Sequence, residues 1–409
     1  MTIHLVGAVT IGLVTLTAGS VGTVETQYLD LPKPVRLDCG RELHPVRVAY
    51  ETYGVLSPQK DNVILVCHAL SGDAHAAGFA KAPPPESTRD GFAAEDRDGT
   101  AGKGLGWWDG MIGPGKAFDT DRFFVVSTNL LGGCRGTTGP SSADPATGEP
   151  YGPDFPVITV ADMVRTERAF LDELGIERLA AVTGGSLGGM QAFEWAILYP
   201  DQVASVVSIA STHALQPQGV AWNSIARDAI MRDPAWQGGR YYGTSLAPEA
   251  GMGIARMVGH ITYLSAQALS DKFGRRLQSG PDIHYTITGP EFAVESYLRH
   301  QASSFVRRFD ANTYLYLSRA LTYFDLAREH GEGSLARAMA GVKARTLLIA
   351  FSSDWLYPPA ASAAIAEALG DDRAEFHVIE APYGHDCFLL EEARQTPIIR
   401  AFLEGQSLK

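Results

Sequence analysis

The chain has 409 residues, of which 45% are hydrophobic and 20% charged, and these are the proportions of a globular protein. A chain of this length can bury a large core without disulfide bonds. The formal net charge is -12 at pH 7. Because a nucleic-acid binder needs a basic face, we expect no nucleic-acid partner.

The cysteines are scattered, with no Cys-x-x-Cys spacing: Cys39, Cys67, Cys134 and Cys387. Their spacing argues against a structural zinc site and against the disulfide framework of small secreted proteins. We therefore expect reduced thiols and a cytoplasmic location.

Residues 3–24 form an apolar stretch that could pass for a signal peptide. The stretch has no Lys or Arg at its start, and glycines interrupt it. A membrane-spanning helix would normally be longer and more purely apolar, so we expect no membrane association. We interpret residues 1–24 as an extension or an early strand, and a signal peptide is the alternative.

Short apolar runs alternate with amphipathic or alanine-rich stretches along most of the chain. The runs predict strands at residues 63–67, 123–127, 179–183, 203–209, 346–351 and 375–379. The other stretches predict helices at residues 159–174, directly after the glycine-rich segment 184–189, and at 360–369. Thr159 and Asp162 form a capping box at the start of the first helix. This alternation predicts an α/β protein with a mostly parallel central sheet.

Two segments depart from this alternation. Residues 73–106 are polar and rich in Gly and Pro, which predicts a long surface loop, and we assign no role to residues 83–103 within it. Residues 216–340 carry no strand pattern and read as helical, for example at 253–267 and 292–307. We therefore divide the chain into a core (25–215 and 341–409), an inserted helical cap (216–340) and the extension (1–24).

A glycine-rich turn, Gly184-Gly-Ser-Leu-Gly188, follows one predicted strand and opens a predicted helix. In this context the pattern is typical of the nucleophile elbow of the α/β-hydrolase fold. Glycines on both sides of Ser186 allow strained backbone angles and close packing, so that the serine hydroxyl projects above the sheet. A nucleotide-binding loop is the alternative, but the spacing differs from G-x-G-x-x-G. Ser186 is the candidate nucleophile.

A nucleophilic serine needs a base, and the base needs a carboxylate that orients it. In this fold the chain order is Ser, acid, His. Asp354 follows the strand predicted at 346–351, and His385 follows the last predicted strand. The alternatives without a catalytic role are a solvated loop carboxylate for Asp354 and a helix-capping residue for His385. Their order and their places after strands favour a catalytic triad.

The oxyanion of an acyl-transfer reaction needs two amide donors. The residue after the nucleophile, Leu187, supplies one amide in this fold, and the loop after an earlier strand supplies the other. Here that loop is His68-Ala-Leu-Ser-Gly72, and we choose Leu70 as the donor. No cluster of His, Cys or Asp has the spacing of metal ligands, so we expect no metal and no cofactor.

Five segments together resemble the homoserine O-acetyltransferase family, and the likeness extends from about residue 22 to the C-terminus. They are Gly106-Trp-Trp-Asp-Gly-Met-Ile-Gly-Pro-Gly115, Asn129-Leu-Leu-Gly-Gly-Cys-Arg-Gly-Thr-Thr-Gly-Pro140, Gly184-Gly-Ser-Leu-Gly-Gly-Met-Gln191, Arg308-Phe-Asp-Ala-Asn-Thr-Tyr314 and Tyr383-Gly-His-Asp386. The start of the chain before about Ala18 is unlike that of the family.

The resemblance implies a ping-pong reaction with acetyl-CoA as co-substrate and L-homoserine as acceptor, in methionine biosynthesis. Ser186 would first take the acetyl group, and the homoserine hydroxyl would then accept it. The resemblance also assigns Arg227 to the carboxylate of the amino acid and Asp386 to its amino group. Bidentate arginine geometry suits a carboxylate. The family further implies a homodimer built through the cap.

Several alternatives use the same scaffold. A succinyl-CoA enzyme is the closest, followed by an enzyme that acylates serine or an antibiotic precursor. An esterase has the same triad and differs in letting water reach the acyl-enzyme. A non-catalytic binding protein is the remaining class, and an intact triad argues against it.

Overall fold

The computed structural model describes residues 19–81 and 104–405. The interpretations of residues 1–18 and of the loop at 83–103 lie outside this part of the chain. Within the extension, Thr23–Val24 forms a two-residue strand that pairs in parallel with Phe79–Ala80. Among the described residues, no helix has both the length and the apolar character needed to cross a membrane.

Eight strands build the central sheet. In chain order they are β1 (Gln27–Leu31), β2 (Val46–Tyr53), β3 (Val63–Cys67), β4 (Phe124–Thr128), β5 (Ala181–Gly185), β6 (Ser205–Ile209), β7 (Arg345–Phe351) and β8 (Ala374–Ile379). Their order across the sheet is β8-β7-β6-β5-β3-β4-β2-β1. Strands β3 to β8 are mutually parallel, and β2 runs antiparallel to both β4 and β1. The predicted mostly parallel sheet is confirmed, with β1 and β2 as an unpredicted antiparallel edge.

The predicted strand limits agree with the structure to within about two residues. The prediction for β3 was correct, whereas β5 begins and ends two residues later than predicted. Leu179 makes only an isolated bridge to Val203. Glycine is a poor strand former, but Gly184 and Gly185 pair with Ser208 and Ile209 of β6, so the neighbouring strand imposes the extended conformation.

Twelve helices occur in the described part of the chain. They are α1 (Val160–Glu173), α2 (Leu187–Leu198), α3 (Pro217–Arg232), α4 (Glu249–Tyr263), α5 (Ala266–Phe273), α6 (Ala293–Val306), α7 (Ala311–Tyr323), α8 (Leu326–His330), α9 (Leu335–Met339), α10 (Pro359–Leu369), α11 (Cys387–Leu390) and α12 (Glu392–Leu403). The capping box of Thr159 and Asp162 at α1 is present. The helix predicted at 253–267 is two helices, because Leu264 is extended and the Ser265 side chain caps α5.

The sheet separates two hydrophobic cores. All five residues of β3 are fully buried, and successive side chains point to opposite faces. Leu65 joins the core that contains Phe170 of α1, while Ile64 joins the core that contains Phe402 of α12. Helices therefore cover both faces of the sheet, as is usual for a mostly parallel sheet.

Helices α3 to α9 all lie in the chain between β6 and β7. Helix α4 packs against both α3 and α6. Near the end of the segment, His330 of α8 pairs with Glu194 of α2 at 2.8 Å, and α9 packs against α10. The predicted cap is therefore helical, and its last two helices contact the core. The limits 216 and 340 stay a prediction.

A buried carboxyl group lies in the core between α1, β3 and α2. Glu167 accepts hydrogen bonds from Trp195 Nε1 at 2.6 Å, Thr128 Oγ1 at 3.2 Å and Cys67 Sγ at 3.9 Å. Burial nevertheless raises the pKa of Glu167 to about 7, because desolvation outweighs these hydrogen bonds. The native state therefore keeps a proton on this carboxyl at pH values where the unfolded chain has lost it.

The Glu167→Gln variant tests this effect. A folded-state pKa above the unfolded value means that the stability contributed by Glu167 is complete below about pH 4.5 and declines as the pH rises to about 7. The neutral glutamine has no such decline. We expect the variant to gain roughly 2 to 3 kcal/mol relative to wild type between pH 5 and pH 8, as measured by urea unfolding. A difference in unfolding free energy between the variant and the wild type that does not change with pH would contradict the raised pKa.

Candidate active site

Ser186 occupies the turn between β5 and α2 with a left-handed backbone, φ +59° and ψ -121°. A non-glycine residue rarely adopts a positive φ, so the surroundings must hold it there. The Ser186 amide donates to the Ile209 carbonyl at 3.0 Å, and the Ser211 hydroxyl donates to the Ser186 carbonyl at 2.8 Å. These bonds fix the strained turn, as expected for a nucleophile elbow.

The glycines around Ser186 are required by a close backbone approach. A Cβ on Gly184 would lie 2.4 Å from the Cys67 carbonyl oxygen, and a Cβ on Gly188 would lie 2.0 Å from the same oxygen. Any side chain at either position would force β3 away from α2. The Gly-x-Ser-x-Gly spacing thus serves packing between β3, β5 and α2, in addition to the turn itself.

The structure brings Ser186, His385 and Asp354 together, as the sequence predicted. His385 Nε2 is 2.9 Å from Ser186 Oγ, and His385 Nδ1 is 2.7 Å from Asp354 Oδ2. A carboxylate at Nδ1 fixes the proton on that nitrogen and leaves Nε2 free to accept the serine proton. His385 and Asp354 are both buried, whereas Ser186 is partly exposed. The arrangement can generate a nucleophilic serine.

Asp354 and His385 are held by the loops that follow β7 and β8. The second carboxylate oxygen of Asp354 accepts the amides of Leu356 at 3.0 Å and Tyr357 at 2.9 Å. Both Asp354 oxygens therefore have partners, which leaves the carboxylate one orientation toward the imidazole. His385 lies in a 3-10 turn, Gly384–Asp386, and the Gly384 amide donates to Ser353 Oγ at 2.9 Å.

Three aromatic rings surround the His385 imidazole. Tyr357 meets it edge-on at 5.0 Å between ring centroids, Phe388 lies at 5.4 Å, and Tyr263 of the cap lies at 6.1 Å. Burial raises the pKa of the Tyr357 phenol, and a hydrogen bond with the Ser186 side chain opposes that rise. Sequence reasoning missed these rings. Tyr357 could have been suspected from its place three residues after Asp354, but nothing in the sequence pointed to Tyr263.

His68, the first residue of the candidate oxyanion loop, is buried and anchors that loop. Its Nε2 accepts the Leu130 amide at 3.2 Å, so its Nδ1 carries the proton and donates to the Ala69 carbonyl at 2.6 Å. Burial lowers the pKa of His68, which favours this neutral form. Asn129 Oδ1 faces Nε2 at 3.1 Å, while the Asn129 amide nitrogen has no hydrogen-bond partner among the described residues. With the Asn129 amide flipped, its nitrogen faces Nε2, and two acceptor atoms no longer face each other.

Leu70 and Leu187 lie on the two segments expected to supply oxyanion amides. Leu187 is the first residue of α2, and Leu70 lies two residues after the anchored His68. Neither amide donates a hydrogen bond within the described part of the chain. Both amides therefore stay available to an incoming oxyanion, although their role as donors stays a prediction.

Arg227 is a buried cation on cap helix α3. Its guanidinium donates to the Ser318 carbonyl at 3.1 Å and to Thr322 Oγ1 at 3.0 Å, both on α7. Burial and the neighbouring Arg319 lower the pKa of Arg227. Within the described residues it forms no ion pair with a carboxylate. A buried guanidinium of this kind is suited to binding an anionic ligand.

Asp386 follows His385 directly and is partly exposed. No hydrogen bond or ion pair ties its carboxylate to another described residue. It lies in the field of Arg256, a buried cap residue whose pKa burial lowers to about 10. The structure thus places Asp386 beside the triad, while Arg227 contacts neither the triad nor Asp386 directly. Their joint role in binding a zwitterion stays a prediction.

The described residues contain one group with the composition and proximity of metal ligands: Glu194, Glu329 and His330. Glu194 and His330 belong to α2 and α8, and none of the three touches the triad. The sequence did not reveal this group, because Glu194 is more than a hundred residues from the other two.

Comparison with known proteins agrees with the geometry. The family model of the α/β-hydrolase fold matches residues 62–392. A protein from Alkalilimnicola ehrlichii named homoserine O-succinyltransferase is 49% identical over 392 residues, which is 95% of this chain and 97% of that protein. A protein from Rhodospirillum rubrum named homoserine O-acetyltransferase is 47% identical over 392 residues, which is 95% of both chains. This chain belongs to the homoserine O-acetyltransferase family.

Solved structures of this family's fold superpose well. The crystal structure of homoserine O-acetyltransferase from Bacillus anthracis has a TM-score of 0.81 at 30% identity, covering 93% of this chain and 98% of that chain. The crystal structure of esterase E22 has a TM-score of 0.79 at 31% identity, covering 93% of this chain and all of the other. The family scaffold therefore extends over transferases and an esterase.

The Gly188→Ala variant tests the close approach at the elbow. In an open helix, replacing glycine by alanine stabilises a protein by up to about 1 kcal/mol. Here the new Cβ would lie 2.0 Å from the Cys67 carbonyl, so we expect a loss of about 1 to 3 kcal/mol in the free energy of unfolding, together with a loss of activity.

The matched control is Gly341→Ala, because no atom lies within 4 Å of the Cβ position there. It should change the unfolding free energy by less than about 0.5 kcal/mol. Equal stability of the two variants in denaturant unfolding would show that the glycine at 188 is not required for packing.

Proposed function

We propose that this protein transfers an acetyl group from acetyl-CoA to the side-chain hydroxyl of L-homoserine through an acetyl ester on Ser186. The observation that carries the chemistry is the hydrogen-bonded chain from Ser186 through His385 to Asp354, at 2.9 and 2.7 Å. The names of the relatives support homoserine as the acceptor. The co-substrate supplies the acyl group, and the proposal includes no cofactor.

In the first half-reaction, His385 Nε2 takes the proton of Ser186 Oγ as the oxygen attacks the thioester carbonyl of acetyl-CoA. The amides of Leu70 and Leu187 stabilise the tetrahedral oxyanion. The carbon–sulfur bond then breaks, and the protonated His385 gives its proton to the departing CoA thiolate. The products are CoA thiol and an acetyl ester on Ser186.

In the second half-reaction, the homoserine hydroxyl replaces CoA. His385 takes the hydroxyl proton, the oxygen attacks the ester carbonyl, and Ser186 leaves and recovers the proton from His385. We propose that Arg227 binds the homoserine carboxylate and that Asp386 binds its ammonium group. The buried Arg227, which has no carboxylate partner among the described residues, supports this assignment.

The donor and the acceptor are tested together by measuring free CoA thiol. Acetyl-CoA should release CoA rapidly only when homoserine is present, apart from one equivalent per chain that acylates Ser186. Succinyl-CoA in place of acetyl-CoA tests the function named for the Alkalilimnicola relative. Steady release of CoA without homoserine would identify a hydrolase, and release with serine would identify a different acceptor.

We further propose a cytoplasmic homodimer that forms through the cap. Three isoleucines on the adjacent helices α3 and α4 are exposed: Ile225 at 54%, Ile254 at 48% and Ile261 at 42%. Exposed apolar side chains on two helices that pack together are typical of a protein interface. No disulfide bond joins any two of the four cysteines, all of which lie in the described part of the chain, and this supports a reducing compartment.

Substitutions in the triad test the nucleophile. Ser186→Ala should abolish both CoA release and the acetyl-enzyme, with a loss of turnover near ~10⁶-fold. His385→Ala should be comparably severe, and Asp354→Asn should cost about 10⁴-fold. With acetyl-CoA alone, mass spectrometry should show one added acetyl group on Ser186. Substantial turnover by Ser186→Ala would contradict the proposed mechanism.

Substitution of Arg227 separates acceptor binding from acylation. Removing one partner of a buried charged hydrogen bond costs about 2 to 5 kcal/mol, or roughly 30-fold to several thousandfold. We expect Arg227→Ala to lower kcat/KM for homoserine by a factor in that range, while stopped-flow acylation of Ser186 changes little. Asp386→Asn should behave similarly, with some effect on the adjacent His385.

The matched control on the same helix is Arg232→Ala. Arg232 is exposed and pairs with Asp228, so its loss should leave both half-reactions unchanged. If Arg227→Ala slows acylation and transfer equally, Arg227 supports the fold of the cap and the assignment of the homoserine carboxylate to it is wrong.

A further inference from the structure

A second cluster of ionisable side chains lies where the cap segment returns to the core. Glu194 of α2 is fully buried, and its Oε2 is 2.8 Å from His330 Nε2 on α8. Glu329 adds a second carboxylate, and one donor atom from each of the three residues lies within 4.8 Å of the others. The cluster combines two carboxylates and one imidazole on two helices.

The buried carboxylate of Glu194 is only partly satisfied. Its Oε1 has no hydrogen-bond partner among the described residues, although the side chain is completely shielded from solvent. An unpaired buried carboxylate oxygen is costly, because desolvation is not compensated. The free oxygen belongs to the same carboxylate that faces His330, so a cation bound at this cluster would compensate the desolvation of that carboxylate.

We propose that Glu194, Glu329 and His330 form a binding site for a divalent transition-metal ion, with Zn²⁺ as the best fit. Imidazole and carboxylate are common zinc ligands, whereas Mg²⁺ and Ca²⁺ prefer all-oxygen sites with more ligands. Tetrahedral zinc ligands lie about 3.3 Å apart, given bonds of about 2.0 to 2.1 Å. Glu329 pairs with the exposed Arg328 at 3.4 Å, and its own side chain is 23% exposed. A surface pair of this kind contributes little, so Glu329 can exchange it for the ion and close the remaining gap.

The site would act on stability and not on acyl transfer. Glu194 lies eight residues beyond Ser186 on α2, a rise of about 12 Å along the helix. Zinc at this point would tie α2, which begins directly after the nucleophile, to α8 near the end of the cap. A metal that binds only the folded protein stabilises it in proportion to the logarithm of metal concentration over Kd.

The competing explanation is an ion pair without metal, in which protonated His330 meets Glu194. Zinc titration of the full chain, after stripping with EDTA and exchange into chelator-free buffer, distinguishes the two. We expect one zinc per chain with a Kd on the order of micromolar, and a rise in Tm of about 3 °C at 100-fold excess over Kd. If zinc does not bind stoichiometrically, or if it does not raise Tm, the ion pair is the correct explanation and the proposal is wrong.

Substitutions locate the ion. His330→Ala and Glu329→Gln should each weaken zinc binding at least about tenfold, since each removes a ligand at the edge of the cluster and leaves Glu194 in place. His377→Ala is the matched control, because His377 pairs with Glu375 at the same 2.8 Å but has no third ligand. Cys39→Ser controls for zinc on the exposed thiol. Unchanged binding in His330→Ala, or its loss in either control, would overturn the assignment.

The acyl-transfer rate gives an independent readout. Stripped and zinc-loaded protein should release CoA at equal rates at 25 °C, while differing in Tm. A rate that depends on zinc would overturn the proposal that the ion is structural. Because zinc binding is measured without substrate, its outcome does not depend on the proposed function.

Discussion

The backbone approach at the Cys67 carbonyl is the constraint on which the rest of the site depends. Strand β3 ends at Cys67, β5 and α2 pass against that carbonyl, and only glycine fits at 184 and 188. This contact sets where the turn between β5 and α2 lies. Ser186 is thereby held at φ +59° with its hydroxyl toward His385, and the strain is compensated by bonds to β6 and to the segment that follows it.

A buried charge needs hydrogen-bond partners. Several segments of the chain supply those partners to the polar groups of the site, and in doing so they fix the positions of these groups. Asp354 is saturated by two amides and one imidazole, so its charge stabilises the imidazolium that forms during catalysis. His68 performs a comparable task as a neutral group, by joining the segments after β3 and β4. Arg227 differs from both, since its buried charge has no carboxylate partner in the described part of the chain.

Cap and core meet around the loop that carries His385. A Cβ on Gly384 would lie 2.5 Å from the Ser265 amide nitrogen, and Trp355 Nε1 donates to the Leu264 carbonyl at 2.9 Å. Arg308 of the cap donates to the Ser71 carbonyl, one residue after Leu70. The cap thus contacts both the base and the candidate oxyanion loop. An acceptor bound by a cap residue would therefore affect the position of the base and of the candidate oxyanion loop.

The sequence by itself determined the parallel sheet, the helical insertion and the triad, because apolar periodicity and the glycine spacing around Ser186 are local signals. It did not reveal β1, an edge strand in which only Leu31 is buried. It also missed β2, although the alternating burial of β2 is a local signal. Only the tertiary structure decided that Tyr263 lies near His385 and that Glu194 lies beside His330, since these pairs are over a hundred residues apart. Contacts of that kind depend on how the cap folds back on the core, which no local pattern encodes.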